Sequence, residues 1–488
     1  MQKFPRERFE TAYPKKVAVV KPENCSACGR CAAICPPGAV RLTHRLYTKD
    51  GEAPSGTAPC LTACPVRIPV QTVAALTKEG RFTEALTLIR ERTPFPSLCG
   101  ICDRPCEKAC VRDPVAVAEL VRTVSEQGKS VTEAAPRRSE DKIAVIGAGP
   151  SGLSCAYHLA RAGYHKVTVF EKSCMPGGML TAAVPPFALD RLRLSAEVAA
   201  IRALGVTLRC GVEADLDTLR AEGYKAFFVA VGAKTAPSAF PGALQSTAFL
   251  RSVCRGEKPG PGRKCLVIGE GFGALTAARA AGRLGASVTL LCPSKAEKTP
   301  SSWREAANEG VQILYGRPIT AEKSGNSFTV TCNDTTFTAD SVITEDAMLP
   351  DAEGFMLSAP DVFAGGACVK GALSAAEAVA DGKRAAARIT RYLKGREDMT
   401  APAFYSLDRE NVMIALDTYD KTPRVRPLPE PCDLRHCRAA LAPDAAVREA
   451  HRCLGCGTAV IDAAKCLGCG LCVKNCAFDA LSITPLPR

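Results

Sequence analysis

The sequence predicts an α/β chain: two Rossmann-like dinucleotide-binding units behind an α-helical cysteine-rich domain and between two short cysteine-rich termini. Three observations predict it. Strand, glycine turn and helix follow one another twice, near residues 143–171 and 264–291. Six cysteines flank a helical hairpin between Cys60 and Cys110. A C-x2-C-x2-C-x3-C run stands near each end of the chain.

The bulk numbers agree. A chain of 488 residues exceeds one core and divides into roughly three or four domains. Its 47% hydrophobic and 23% charged residues suit a globular protein. No apolar run approaches the ~18 residues of a membrane span. The first sixteen residues lack the apolar centre of a signal peptide, so a cytoplasmic location is expected. The net charge of +13 invites a nucleic-acid partner. Yet Lys and Arg are scattered without a basic block, and anionic prosthetic groups would cancel most of the excess, so none is expected. The 26 cysteines cluster in C-x-x-C spacings without an export signal, which favours metal ligation over disulfides.

Residues 1–45 carry Cys25, Cys28, Cys31 and Cys35, followed by Pro36, between the strand-like VAVV and AVRL. This is the bacterial ferredoxin run, one ferredoxin-like half, and it favours iron–sulfur over the alternative of structural zinc. Residues 46–135 read as helical. Ile68, Val70, Val73, Ala74 and Leu76 fall at helical spacing, Gly80 interrupts, and Phe82, Ala85, Leu86 and Ile89 resume. Cys60 and Cys64 precede this hairpin, and Cys99, Cys102, Cys106 and Cys110 follow it. The polar stretch 123–141 reads as a linker.

Residues 136–255 and 359–395 form the first Rossmann domain. A strand at 143–146 enters Gly147-x-Gly149-x-x-Gly152, a helix begins near Ser151, and a second strand at 167–170 ends at Glu171. Such glycines let backbone approach a pyrophosphate at a helix N-terminus, and the acid takes a ribose hydroxyl. Residues 256–358 form the inserted domain, with Gly269-x-Gly271-x-x-Ala274 and a strand at 288–291 that ends on Cys292 instead of an acid. Two such units imply two nucleotides, one flavin and one nicotinamide. Residues 396–460 are a Pro-rich return segment that ends in a short helix and delivers Cys453 and Cys456. Residues 461–488 repeat the ferredoxin run with Cys466, Cys469, Cys472 and Cys476.

Six cysteines in the helical domain suit neither one [4Fe–4S] cluster nor two, since each takes four thiolates. Adding Cys453 and Cys456 makes eight, and the two terminal runs supply eight more. Sixteen thiolates match four clusters. The return segment should therefore fold back onto the helical domain. In two-cluster ferredoxins the fourth cysteine of each run serves the other cluster. By that rule Cys476 joins Cys25, Cys28 and Cys31, and Cys35 joins Cys466, Cys469 and Cys472. The alternative is two separate single-cluster lobes.

The chain resembles the small subunit of NADPH-dependent glutamate synthase and the N-terminal half of dihydropyrimidine dehydrogenase. The resemblance rests on ACPVRIPV, EGRFTEALTLIRERTPFP, RPCEKAC, VIGAGPSGL, PGGML and SAAEAVADGKRAA, and covers roughly 46–395. It implies an FAD domain with an inserted NAD(P) domain. It places FAD at Gly147, Gly149, Pro150, Ser151, Gly152, Glu171, Lys172, Gly178, Met179, Gly232, Gly366, Ala367 and Ala375, and a nicotinamide at Gly269, Gly271 and Ala274. Hydride then passes between NAD(P)H and FAD, and single electrons pass through the clusters to a partner enzyme subunit or ferredoxin in a hetero-oligomeric complex. No protein acid or base is assigned.

Four departures from that family stand out. Its Gly-Asp is Gly366-Ala367 here, and its nicotinamide loop has become Gly269-Glu270-Gly271-Phe272-Gly273-Ala274-Leu275-Thr276. Its paired arginines give way to Cys292-Pro293, with Lys295 and Lys298 the nearest cations, and its A-I-G-Q to Thr344-Glu345-Asp346-Ala347. Three of the four lie in the inserted domain. The rival reading is therefore an electron-transfer relay or scaffold subunit with a vestigial nicotinamide site.

Overall fold

The computed structural model describes residues 16–21, 25, 30–43, 46–48, 58–129, 139–238, 240–294, 301–325, 327–332, 335–352, 355, 359–395, 412–414, 422–426, 432–476 and 480–485. Among them no helix is long and apolar enough to cross a membrane.

Two five-stranded parallel sheets share the order of four strands and differ in where the chain supplies the fifth, at one edge. The first runs Val362–Ala364, Tyr224–Val229, Ser139–Ile146, Tyr164–Glu171, Thr207–Cys210. The second runs Leu244–Gln245, Ser341–Thr344, Lys264–Ile268, Ser287–Cys292, Gln312–Tyr315. Ile143, Ala144 and Val145 are wholly buried, as a central parallel strand covered on both faces requires. The second sheet takes its edge strand from Leu244–Gln245, so it begins before the expected boundary at 256. A three-stranded antiparallel meander, Pro318–Cys332 and Thr335–Ala339, is inserted into it.

Helix Pro150–Arg161 lies against the long helix Ala375–Leu393. They approach closely at Gly382, where a Cβ would collide with the Ser151 carbonyl. In the helical domain, Val70–Lys78, Phe82–Arg90 and Val117–Gln127 pack with Pro443–His451 from the return segment. Val117–Gln127 extends into the stretch expected to be a linker from 123. Val124 is buried, and the Thr123 hydroxyl donates to the Glu119 and Leu441 carbonyls, tying the helix to residues more than three hundred positions away.

The terminal runs meet in one module. Lys16–Val20 pairs antiparallel with Leu481–Pro485, and Val40–Thr43 with Thr458–Ile461. Val17, Ala18, Val40, Ala459, Ala480 and Leu481 share its core with Cys25, Cys31, Cys466 and Cys472.

Candidate iron–sulfur and flavin sites

The cysteines of the helical domain fall into two groups of four. Cys64, Cys99, Cys102 and Cys106 line one pocket, walled also by Phe95, Leu98 and Val117 and, from the long helix, by Ala376 and Val379. Burial pushes the Cys99 thiol well up, and neighbouring Cys102, Cys64 and Cys106 push it further. Burial and Cys64 bring Cys102 to about 11 against the opposing Arg104 amide. The second group gathers around Cys60, whose thiol is pushed well up by burial and by Cys453, Cys110 and Cys456. Cys106 also acts on Cys60, so the groups are neighbours.

The return segment reaches this place through a buried polar joint. Arg452 is fully buried and bonds Asp113, Glu449 at 2.7 Å and the carbonyls of Thr422 at 2.9 Å and Pro114 at 3.1 Å. Glu449 also accepts from the Ala116 and Val425 amides, both at 2.7 Å. Cys453 and Cys456 follow directly.

In the terminal module the sulfurs are held in matched pairs. The Ala459 amide donates to Cys25 Sγ and the Ala18 amide to Cys466 Sγ, each at 3.4 Å. The Ala39 amide donates to Cys35 Sγ at 3.2 Å and the Ala480 amide to Cys476 Sγ at 3.3 Å. Burial raises the Cys472 thiol, and Cys466, Cys35 and Cys469 add to it, so Cys35 of the N-terminal run sits with the C-terminal run. Cys28 lies outside the described residues.

These donor sets fit clusters. Thiols this buried and mutually repelling become thiolates only beside a cationic core. Among the described residues no three His, Cys, Asp or Glu side chains converge as a single metal ion requires. The Cys64 group instead surrounds a volume. Two residues that the sequence did not single out join the groups. Gln71 donates to Cys60 Sγ at 3.8 Å and to the Cys456 carbonyl at 3.0 Å, and the adjacent Thr72 donates to the Cys25 carbonyl at 2.6 Å.

At the first glycine turn the expected residues come together. Gly152 must lack a side chain because a Cβ would collide with the Gly147 carbonyl, and Pro150 starts the helix at N1. Glu171 accepts from the Ala148 amide at 2.7 Å and the Ser173 amide at 2.8 Å. Gly178, at φ 53°, rests on Gly149, and Met179 opens the next short helix. Gly366, at φ 80°, rests on Ser151, with Ala367 and Ala375 beginning the two helices that follow. Asp381, another residue not anticipated, holds this turn by accepting from the Gly366 amide at 3.2 Å. Lys172 points away and pairs with Glu213 at 3.1 Å on the surface. A Cβ at Gly149 or Gly232 would meet nothing within 4 Å, and the buried Ser151 hydroxyl oxygen has no partner. An open cradle with an orphaned hydroxyl at a helix N-terminus fits a dinucleotide pyrophosphate.

The second turn is built alike and filled differently. Glu345, directly after Ser341–Thr344, accepts from the Glu270 amide at 2.9 Å and the Gly271 amide at 3.0 Å through one carboxylate oxygen. A Cβ at Gly271 would collide with that carboxylate. Asp346 accepts from the Ser246 hydroxyl and the Thr247 amide, both at 2.7 Å. Ala274 is buried in the following helix. Lys295 and Lys298 lie outside the described residues. In this arrangement the Glu345 carboxylate holds the two amides that a dinucleotide pyrophosphate would use.

Comparison with known proteins bears on all three parts. The pyridine nucleotide-disulphide oxidoreductase profile matches residues 141–355, the dihydropyrimidine dehydrogenase domain II 4Fe-4S profile 54–132, and a 4Fe-4S binding domain 458–481. The chain is 31% identical to the NADP(+)-dependent formate dehydrogenase subunit beta of Moorella thermoacetica, over 88% of this chain and 73% of that one. It is 31% identical to the NAD-dependent dihydropyrimidine dehydrogenase subunit PreT of Escherichia coli, over 69% and 92% respectively. Against the NADPH-Fe(3+) oxidoreductase subunit beta of Geobacter sulfurreducens it is 29% identical, over 76% and 68%. The chain belongs to the FAD and iron–sulfur NAD(P)H oxidoreductase family that includes the glutamate synthase small subunit and the N-terminal half of dihydropyrimidine dehydrogenase.

Proposed function

We propose that this chain is an oxidoreductase subunit that exchanges electrons between NAD(P)H, one FAD and four [4Fe–4S] clusters, and passes them to a partner enzyme subunit or ferredoxin. Bound at the first turn, FAD supplies the exchange between hydride and single-electron chemistry. The chain's own part is to set the order of the redox centres. The observation that carries the proposal is the cavity in which Cys64, Cys99, Cys102 and Cys106 meet Ala376 and Val379, because their helix begins at the flavin-side turn. A cluster held by these four cysteines would stand beside the helix that begins at the flavin-side turn. Cys60, Cys110, Cys453 and Cys456 would hold the second. Gln71 and Thr72 then bridge to the terminal module, where Cys25, Cys28, Cys31 and Cys476 would hold the third and Cys466, Cys469, Cys472 and Cys35 the fourth. The relatives named as subunits support a partner polypeptide as the far terminus.

Iron analysis of anaerobically reconstituted protein should give about sixteen irons per chain, four for each cluster. Eight or fewer would refute four clusters. Cys476→Ser should alter the EPR signal of the N-terminal cluster, and an untouched signal would refute the exchange of ligands between the two runs. The relay reading, with no nicotinamide input, is favoured by one observation: the carboxylate on the second glycine turn.

A further inference from the structure

Glycine turns of Rossmann units bind pyrophosphate through backbone N–H groups at the head of a helix. In the second unit, the helix Phe272–Arg283 begins just past Gly271, and the amides in question are those of Glu270 and Gly271. Both donate to Glu345 Oε2. The side chain also fills the space the glycines leave: a Cβ at Gly269 would stand 2.5 Å from Glu345 Cβ, and one at Gly271 would meet its carboxylate. The negative field extends beyond the turn. Glu270 accepts from the Ser294 amide at 3.2 Å and from its hydroxyl, at the end of strand Ser287–Cys292. There Cys292 is pushed up to about 12 by burial and by the Glu270 and Glu345 carboxylates.

We propose that Glu345 is a built-in competitor of the nicotinamide nucleotide: its carboxylate occupies the turn amides that a pyrophosphate needs, and nucleotide enters only when that side chain swings out. The first unit shows the alternative. Its residue at the matching place, directly after strand Tyr224–Val229, is Ala230, which has no carboxylate; at that turn the Ala148 amide donates to Glu171, and a Cβ at Gly149 would meet nothing within 4 Å. Glu345 thereby sets nucleotide affinity without touching the flavin or the clusters. The inference rests on reading the second unit as the nicotinamide domain.

The test is binding of the redox-inactive probes NADP+ and NAD+ to the full-length, cluster- and flavin-loaded protein by calorimetry, in wild type, Glu345→Ala and Glu345→Gln. Removing the carboxylate should tighten binding of both by about tenfold, or about 1.4 kcal/mol, with Glu345→Gln in between. Glu345→Gln preserves side-chain size, so it reports on charge if Glu345→Ala folds poorly. Unchanged or weaker binding in both variants would overturn the proposal. If NADPH nevertheless bleaches the flavin of wild type, Glu345 alone is misassigned and the proposed function stands. If no variant binds nucleotide and NADPH bleaches no flavin, both readings fail.

Discussion

In the first Rossmann unit Ala230 follows the strand beside the glycine turn; Glu171 takes the Ala148 amide, while Gly149 faces open space beside an unpartnered Ser151 hydroxyl. In the second, Glu345 occupies the matching place and bonds two amides of the turn. The order of the four strands around the turn, the glycine spacing and the helix start are the same in both. Topology therefore supplies the cradle, and one residue after a neighbouring strand decides whether an anion finds it vacant. The units also differ in their surroundings. The first shares the long helix with the Cys64 cavity, and its buried Glu197 accepts from the Ser97 amide at 2.9 Å and the Ser97 hydroxyl at 2.6 Å, beside Cys99. The second joins the helical domain and the return segment through ion pairs, Glu305 with Arg104 at 3.7 Å and with Arg438 at 3.1 Å. The proposed electron exchange with the clusters therefore runs through the first unit.

The largest expected effect separates the two turns outright. Gly152→Val drives a side chain into the Gly147 carbonyl and should remove nearly all bound FAD, read as the flavin absorbance of purified protein. Ala274→Gly at the equivalent place in the second unit should leave flavin content unchanged. If both variants keep their flavin, the first turn is not the FAD site.

Next in size is Cys456→Ser, which should cost about four of about sixteen irons while FAD is retained. Loss of flavin with the iron would show that the return segment supports the first Rossmann unit as well. Opening the second turn by Glu345→Ala, worth about tenfold in nucleotide affinity, comes third. The smallest effect is a pH dependence. Burial, opposed by the Ser97 hydroxyl and amide, raises Glu197 to about 7. An acid raised in the folded state contributes stability that is complete below its unfolded value of about 4.3 and lost as pH rises through about 7. Glu197→Gln should therefore flatten the fall in Tm across that window, and an equally steep fall in the variant would mean the joint does not titrate.

Much of this was legible in the sequence because it is local. Each glycine turn lies within about thirty residues of its strands, and each ferredoxin run is a single peptide. The fold-back of Cys453 and Cys456 followed from a count of thiolates. The grouping of Cys60 with Cys110 and of Cys64 with Cys99 was not legible, because it depends on how the hairpin turns between them. Glu345 was noticed as a departure from A-I-G-Q, but its contact with Gly271 crosses 74 residues and only the folded sheet makes it. The same holds for Val117–Gln127, which outlasts its apolar pattern because Thr123 finds Leu441.

The most direct measurement is an anaerobic titration of reconstituted wild-type protein with NADPH, following the flavin band and the cluster EPR in one sample. At saturating nucleotide the flavin should bleach and cluster signals should appear with it, as they do with dithionite. Full reduction by dithionite with neither change under NADPH or, in a parallel titration, NADH would contradict the proposed electron path and leave the chain a relay.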